Sequence, residues 1–189
     1  MQKIILASAS RERQKILKEA GLRFVVKPSR APEDLTLPLT PRSLVKYLAL
    51  QKAGAVASQN SSGLVIGADT VLVFKSEVIG KPRDSAHART ILSKLSGKTH
   101  SIITGFCIVD AHTGRSVCRS VESRVRFRKL SPAEIHAYVA LGESLAAAGA
   151  YSIRGEGKRL VRSIEGDYRN IAGMPVSSLK RALRAFNVH

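Results

Sequence analysis

The chain has 189 residues, of which 44% are hydrophobic and 24% charged, as expected for one folded domain. Lysine and arginine total 31 against 14 aspartate and glutamate residues, so the net charge is +17, which indicates a polyanionic partner or a generally basic surface. Two cysteines exclude a disulfide framework, and no apolar stretch is long enough to cross a membrane.

The first half of the chain alternates predicted strands and helices. Gly21 ends the first helix, and Thr40 before Pro41 is typical of an N-cap followed by proline at the first helical position. The predicted elements are, in order, a strand at 3–7, a helix at about 11–20, a helix at 41–57, a central strand at 64–74 and a strand at 78–79.

The second half predicts a hairpin between helices. Ser131 and Glu134 form a capping-box pattern, and Thr113-Gly114 marks the hairpin turn. The predicted elements are a helix from Asp84 or Ser85 to about 95, a hairpin of 100–110 with 116–128, a helix to about 141, a strand-like segment at 150–170 and a helix at about 176–186. These elements predict an α/β domain with a mixed, partly antiparallel sheet flanked by helices.

Asp69 lies within the otherwise apolar strand 64–74. A buried carboxylate without a partner is costly, so Asp69 needs a cation, a metal or strong donors. Lys81 follows shortly in the rigid sequence Gly80-Lys81-Pro82. A carboxylate on a central strand beside lysines is an arrangement suited to phosphate chemistry.

Two further segments could bind phosphate. Ser8 and Ser10 precede a predicted helix whose first turn carries Arg13, so its free N–H groups could bind an anion; alternatively, Ser10 only caps the helix. Lys52 falls at the centre of the apolar stripe of helix 41–57. It either extends to water or points into a cleft towards a phosphate or Asp69.

Arg124, Arg126 and Arg128 alternate along one strand and therefore share a face. A solvated outer face is the favoured interpretation over a nucleic-acid stripe. Cys107 and Cys118 would lie opposite each other if residues 111–114 form the hairpin loop. Free thiols are nevertheless favoured, because nothing indicates export and the chain is expected to be cytoplasmic.

Together the segments resemble the Maf family of septum-formation-inhibitor-like nucleoside triphosphate pyrophosphatases. The matching segments occur in the family's order and cover the chain from about Ile4 to Leu183. They are residues 6–10 with Arg13, Glu33, 51–53, 66–70, 80–82, 96–97 with His100, 104–105, 148–151 and 164–175.

The resemblance implies an elongated fold shared with inosine-triphosphate pyrophosphatases, with two lobes and a central cleft. It also implies metal-dependent hydrolysis of a nucleoside triphosphate to the monophosphate and pyrophosphate, with Mg²⁺ or Mn²⁺ and possible homodimer formation. By position, Asp69 resembles the general base or metal-bound carboxylate, and Glu33 a second acidic residue near the metal. The other implied residues are Lys52, Lys81 and Arg13, which hold the triphosphate, and Ser8 and Ser10, which form the loop around it.

Two positions depart from the family's branches. Glu12 stands where the dTTP/UTP branch has an arginine, and Arg154 stands where it has a glutamine, whereas Thr70 agrees with that branch. The branch that acts on 7-methyl-GTP differs at all three places. We therefore expect Glu12 and Arg154 to form a charge-exchanged pair at the base end of the cleft, and the preferred base stays open.

The leading prediction is a cytoplasmic pyrophosphatase that clears non-standard or surplus nucleotides. One alternative is a nucleotide-binding regulator of cell division and septum formation. The other is a basic nucleic-acid-binding module, which is disfavoured. Nucleic-acid binding would weaken steeply with salt and survive loss of Asp69, whereas hydrolysis would not survive it.

Overall fold

A computed structural model describes residues 3–188 of the chain. Seven strands form one mixed sheet in the order β2-β1-β3-β5-β6-β7, with β4 paired to β3. The strands are β1 (Ile4–Leu6), β2 (Val25–Val26), β3 (Leu64–Phe74), β4 (Glu77–Ile79), β5 (Thr99–Asp110), β6 (Ser116–Phe127) and β7 (Val161–Glu165). The helices are α1 (Arg11–Glu19), α2 (Pro41–Ala57), α3 (Ser85–Leu95), α4 (Pro132–Ala140), α5 (Tyr168–Ile171) and α6 (Val176–Leu183).

The sheet combines parallel and antiparallel pairs. Strand β1 pairs in parallel with β2 and β3, whereas β3–β4 and β6–β7 are antiparallel. The mixed α/β class predicted from the sequence is thus confirmed. The short strand β2 was not predicted, because two exposed residues carry no recognisable pattern.

The chain divides into two compact units. The first contains the residues up to Thr70, Thr104–Val121 and the residues from Gly173 onward, and the second contains Val71–Ile103 and Glu122–Ala172. The long strands β3, β5 and β6 contribute residues to both units. The central cleft that the resemblance implies stays a prediction.

In the first unit, helix α2 packs directly on the backbone of two strands. A Cβ atom on Gly67 of β3 would lie 2.2 Å from the Ala49 carbonyl oxygen, and one on Gly105 of β5 would lie 2.4 Å from the Val45 carbonyl oxygen. Only glycine permits such an approach, because any side chain would push the helix away. The buried cluster beneath α2 includes Ile5, Ala53, Val56, Val65, Cys107 and Val109.

In the second unit, a larger apolar core surrounds helices α3 and α4. Its members include Leu72, Leu92, Phe127, Ile135, Tyr138 and Tyr151. Asp84 caps α3, and Ser131 with Glu134 forms the predicted capping box of α4. Both helix starts therefore follow from local hydrogen bonds that are visible in the sequence.

Two expectations were wrong. The segment 150–170 was predicted to be strand-like, but only β7 within it is a strand. Its other regular elements are a 3₁₀ turn at Glu156–Leu160 and the short helix α5. Glycines at 155 and 157 allow backbone turns there that the apolar pattern alone does not reveal.

The second wrong expectation is the pair of free thiols, because Cys107 and Cys118 form a disulfide. The hairpin is the cause: the Asp110 N–H donates to the Arg115 carbonyl oxygen, which makes residues 111–114 the loop. This register places the two cysteines opposite each other, with Cα atoms 4.1 Å apart. Geometry, rather than any sign of export, brings the sulfur atoms together.

Candidate active site

Asp69 is buried in the middle of β3 and forms an ion pair with Lys52. Its side chain lies among apolar neighbours with 5% of the residue exposed, and its Oδ1 is 2.5 Å from the Lys52 Nζ. Lys52 is itself only 7% exposed, because it faces inward from α2 rather than outward to water. Of the two interpretations of Lys52, the inward one is confirmed, with Asp69 as its partner.

The close packing of α2 explains how Lys52 reaches the carboxylate. Ala49 and Ala53 lie on the same stretch of α2 and touch the backbone at Gly67, two residues before Asp69. The Lys52 side chain therefore starts close to β3, and its ammonium group can reach Asp69 across the short gap between the helix and the strand.

Glu33 binds the same ammonium group from another side. Its Oε1 is 2.6 Å from the Lys52 Nζ, and about half of its side chain (49%) is exposed. Lys52 thus bridges a buried and a partly exposed carboxylate, which brings together the two acidic residues predicted to lie near a metal. Among residues 3–188, no group of three or more His, Cys, Asp or Glu side chains could hold a metal ion.

Arg13 is held by three acceptors. Its Nε donates to the Gly173 carbonyl oxygen at 3.0 Å, its Nη1 to Ser8 Oγ at 3.3 Å and its Nη2 to Thr70 Oγ1 at 3.1 Å. Ser10 caps α1 by accepting from the Arg13 N–H. The predicted serine loop and arginine therefore form one network beside Asp69.

The charge environment of Arg13 links this network to the carboxylates. Burial lowers the pKa of the Arg13 guanidinium from its ordinary value, whereas the charges of Asp69 and Glu33 act to raise it. An arginine stays protonated in proteins, so the site holds a permanent cation.

Sequence reasoning did not identify Thr104 and Gly173 as parts of this network. The Thr104 hydroxyl is fully buried and lies 3.0 Å from Thr70 Oγ1. Gly173 has φ = +103° and presents its carbonyl oxygen to Arg13. Both belong to segments that match the family, but only the fold brings Gly173 to Arg13 and Thr104 to Thr70.

The remaining predicted residues are Glu12, Lys81 and Arg154. Glu12 occupies the first turn of α1, next to Arg13. Lys81 and Arg154 belong to the second unit, where Lys81 is exposed and lines a surface pocket of about 240 Å³. The ion pair between Glu12 and Arg154 and the role of Lys81 stay predictions.

The segment that carries Arg154 is held by three side chains of the second unit. The Ser152 N–H donates to the Tyr138 hydroxyl at 3.0 Å, and the Gly157 N–H donates to Glu143 Oε1 at 2.8 Å. The Tyr168 hydroxyl donates to the Ile153 carbonyl oxygen at 3.1 Å. Backbone hydrogen bonds on both sides of Arg154 thus fix the course of this segment.

The arginines of β6 and the residue after it are exposed, as the outer-face interpretation expects. Arg128 forms an ion pair of 3.0 Å with Glu134, and Arg124 lies 3.9 Å from Glu165. Neighbouring carboxylates therefore offset part of the positive charge on this face.

The fold and site define an α/β protein in which a buried aspartate–lysine pair lies beside a fixed arginine. The chain matches the family of Maf-like proteins over residues 3–186 and belongs to that family. This confirms the resemblance inferred from the ordered segments.

Curated relatives cover the chain throughout. A dTTP/UTP pyrophosphatase of Moorella thermoacetica is 45% identical over 188 residues, which span 100% of this chain and 97% of the relative. Proteins of the same name from Bacillus cereus (strain AH820) and Bacillus anthracis are each 43% identical, with the same coverage of both chains. Within residues 3–188, no helix combines the length and hydropathy that a membrane span requires.

Proposed function

We propose that this protein hydrolyses nucleoside triphosphates to the monophosphate and pyrophosphate. The observation that carries the proposal is the buried Asp69–Lys52 ion pair next to Arg13. Family membership and the names of the relatives support the same reaction. The proposed role is the clearance of non-standard or surplus nucleotides.

The side chains can share the work of a phosphoryl displacement. Asp69 would accept a proton from the attacking water, a task that contributes about 10²–10⁴-fold when a base is well positioned. In the nucleotide-free protein, Lys52 holds the Asp69 carboxylate in place through its hydrogen bond. Arg13 supplies a guanidinium that is already fixed by Ser8, Thr70 and Gly173, so little reorganisation is needed when phosphate charge develops.

A divalent cation fits this site through Asp69 and Glu33. Mg²⁺ is usually held by one or two carboxylates together with substrate phosphates and water, and these two carboxylates contact the same nitrogen. When bound, Mg²⁺ or Mn²⁺ would neutralise charge on the phosphoryl oxygens. Metal dependence is therefore part of the proposal.

For the base, we take dTTP and UTP as the first substrates to test, because the relatives carry these names. Thr70 agrees with that branch, whereas Glu12 and Arg154 depart from it. We expect Glu12→Ala to alter the ratio of kcat/KM values among nucleotides more than the turnover of the best one. An unchanged ratio would reject the role of Glu12 in base selection.

The test is a screen of normal and modified triphosphates with Mg²⁺ or Mn²⁺, in which pyrophosphate release is measured. Asp69→Asn should reduce release about 10²–10⁴-fold, and a chelator should abolish it. Glu165→Gln, which changes an exposed carboxylate of β7, is the matched control and should retain activity. Orthophosphate without pyrophosphate, or full activity in Asp69→Asn, would contradict the proposal.

A cytoplasmic location and a homodimer complete the proposed function. The homodimer rests on the resemblance alone. Sedimentation of the purified protein at several concentrations measures the oligomeric state directly, and fractionation of cells locates the protein.

A further inference from the structure

Lys52 occupies the position between the two carboxylates that are proposed to hold a metal. Its Nζ lies 2.5 Å from Asp69 Oδ1 and 2.6 Å from Glu33 Oε1. We propose that Lys52 is the resident counter-ion of these carboxylates in the nucleotide-free protein, and that a divalent cation binds strongly only together with a triphosphate. This inference rests on the proposed function and adds an order of binding to it.

The charges of the cluster support this order. Lys52 and Arg13 are cations, and both sense Asp69 and Glu33, so the four groups together carry no net charge. A divalent cation that enters alone meets no excess negative charge. It must also replace two charge-assisted hydrogen bonds of Lys52, which are among the stronger hydrogen bonds in proteins.

Burial makes the displacement of Lys52 costly. The lysine is 7% exposed and Asp69 5%, so an ammonium group moved aside without a new anionic partner would be a buried, unpaired charge. Glu33 is half exposed, so a cation from solvent can reach this carboxylate first. Competition with Lys52 for the two carboxylates therefore limits the affinity for a cation that enters alone.

A triphosphate changes this balance. Its oxygen atoms offer Lys52 and Arg13 new anionic partners, and they give the cation ligands that two carboxylates cannot supply. The cation and the nucleotide should therefore strengthen each other's binding, and by thermodynamic linkage the two gains are equal.

The competing view is that Lys52 only holds the triphosphate, as the resemblance implies. Under that view, removal of the ammonium group weakens nucleotide binding and leaves the affinity of the free protein for a metal unchanged. The two views differ in a measurement made without nucleotide and without turnover.

The experiment is a titration of the nucleotide-free protein with Mn²⁺, in which free Mn²⁺ is followed by electron paramagnetic resonance. Lys52→Met removes the charge and keeps an unbranched side chain. We expect this variant to bind Mn²⁺ at least about tenfold more tightly than the wild type does. Lys52→Arg retains a cation and should bind Mn²⁺ as weakly as the wild type. Asp69→Asn in the Lys52→Met protein should remove the gain.

A second arm uses the wild type alone, so the test survives if Lys52→Met does not fold. The ligand is an α,β-methylene nucleoside triphosphate, which cannot be cleaved between the α and β phosphorus atoms. The wild type together with this analogue should bind Mn²⁺ at least about tenfold more tightly than the analogue alone does in buffer. Mn²⁺ binding by the wild type with the analogue that is no tighter than binding by the analogue alone in buffer would overturn the inference. Unchanged Mn²⁺ affinity in folded Lys52→Met would also overturn it.

These outcomes are separate from those of the proposed function. Neither arm requires hydrolysis, so lack of pyrophosphate release would reject the enzyme while the order of binding could still be measured. Conversely, an active enzyme whose free form binds Mn²⁺ tightly would retain the function and lose the inference.

Discussion

The hydroxyl oxygens of Thr70 and Thr104 lie 3.0 Å apart, and Thr70 Oγ1 also accepts a hydrogen bond from Arg13. Either hydroxyl can donate to the other, because the Thr70 oxygen can accept from Arg13 and still share a hydrogen bond with Thr104. The fully buried Thr104 thus supports the arginine through one intermediate residue.

Thr104→Val should destabilise the protein, because the valine keeps the shape and removes the hydrogen-bonding partner of Thr70. We expect a loss of about 1 kcal/mol in the free energy of unfolding. Urea unfolding measures this loss, and Thr104→Ser, which retains the hydroxyl, should recover most of it. Equal stability of the valine variant and the wild type would contradict the hydrogen bond.

Gly67→Ala should disturb the packing of α2 on β3. The new Cβ would lie 2.2 Å from the Ala49 carbonyl oxygen and 2.7 Å from the Ala53 nitrogen, so the helix must move. Overpacking of this kind costs about 1–3 kcal/mol, and the shift would carry Lys52 away from Asp69. The melting temperature and kcat/KM should therefore both decrease.

Gly54→Ala is the matched control for that prediction. Gly54 lies on the same helix, but a Cβ there would meet nothing within 4 Å. Alanine is the better helix former by about 1 kcal/mol, so this variant should be as stable as the wild type or more stable. A similar loss in both variants would reject close packing as the cause.

His100 should make stability depend on pH. Burial lowers the pKa of His100 from 6.5 to about 4, and its Nε2 lies 2.9 Å from the Tyr151 hydroxyl oxygen. Between these pH values, His100 is protonated in the unfolded chain and neutral in the folded protein. Stability should therefore fall as the pH drops below 6.5, by roughly 3 kcal/mol in total, and level off below about 4.

The measurement is the difference in unfolding free energy between the wild type and His100→Gln at several pH values. Carboxylates titrate in both proteins and cancel in this difference. The stability advantage of the wild type should shrink on acidification from pH 6.5 to 4, and a constant difference would show that His100 does not titrate on unfolding.

The disulfide should stabilise the protein in the absence of reductant. Closing a loop over a sequence separation of 11 residues contributes about 2–3 kcal/mol in the chain-entropy model. Thermal unfolding with and without a phosphine reductant measures the effect, and a double variant with alanine at positions 107 and 118 should not respond. Alkylation of both cysteines in non-reducing conditions would contradict the pairing.

Local patterns in the sequence predicted most of the regular elements. The caps at Thr40 and Ser131 form hydrogen bonds with neighbours three residues away, so they are visible without a fold. The apolar run of β3 and the stripe of α2 likewise show which faces are buried. The prediction of a strand-like segment at 150–170 was wrong because glycines and short turns interrupt the hydrophobic periodicity there.

The sequence by itself indicated that Asp69 is buried and needs a cation, a metal or strong hydrogen-bond donors, since an unpaired buried carboxylate is costly. It also placed Lys52 at the centre of the apolar stripe of a helix and marked the serine loop with Arg13. These conclusions follow from neighbours along the chain and from the helical and strand periods.

Only the tertiary structure decided which groups meet. It joined Glu33 to the Lys52–Asp69 pair, placed Thr104 and Gly173 in the network of Arg13 and Thr70, and paired Cys107 with Cys118. Most of these contacts link residues far apart in the chain, and their distances depend on how closely α2 packs on the strands and on the register of one hairpin. No local pattern specifies such distances, because they result from the packing of the whole unit.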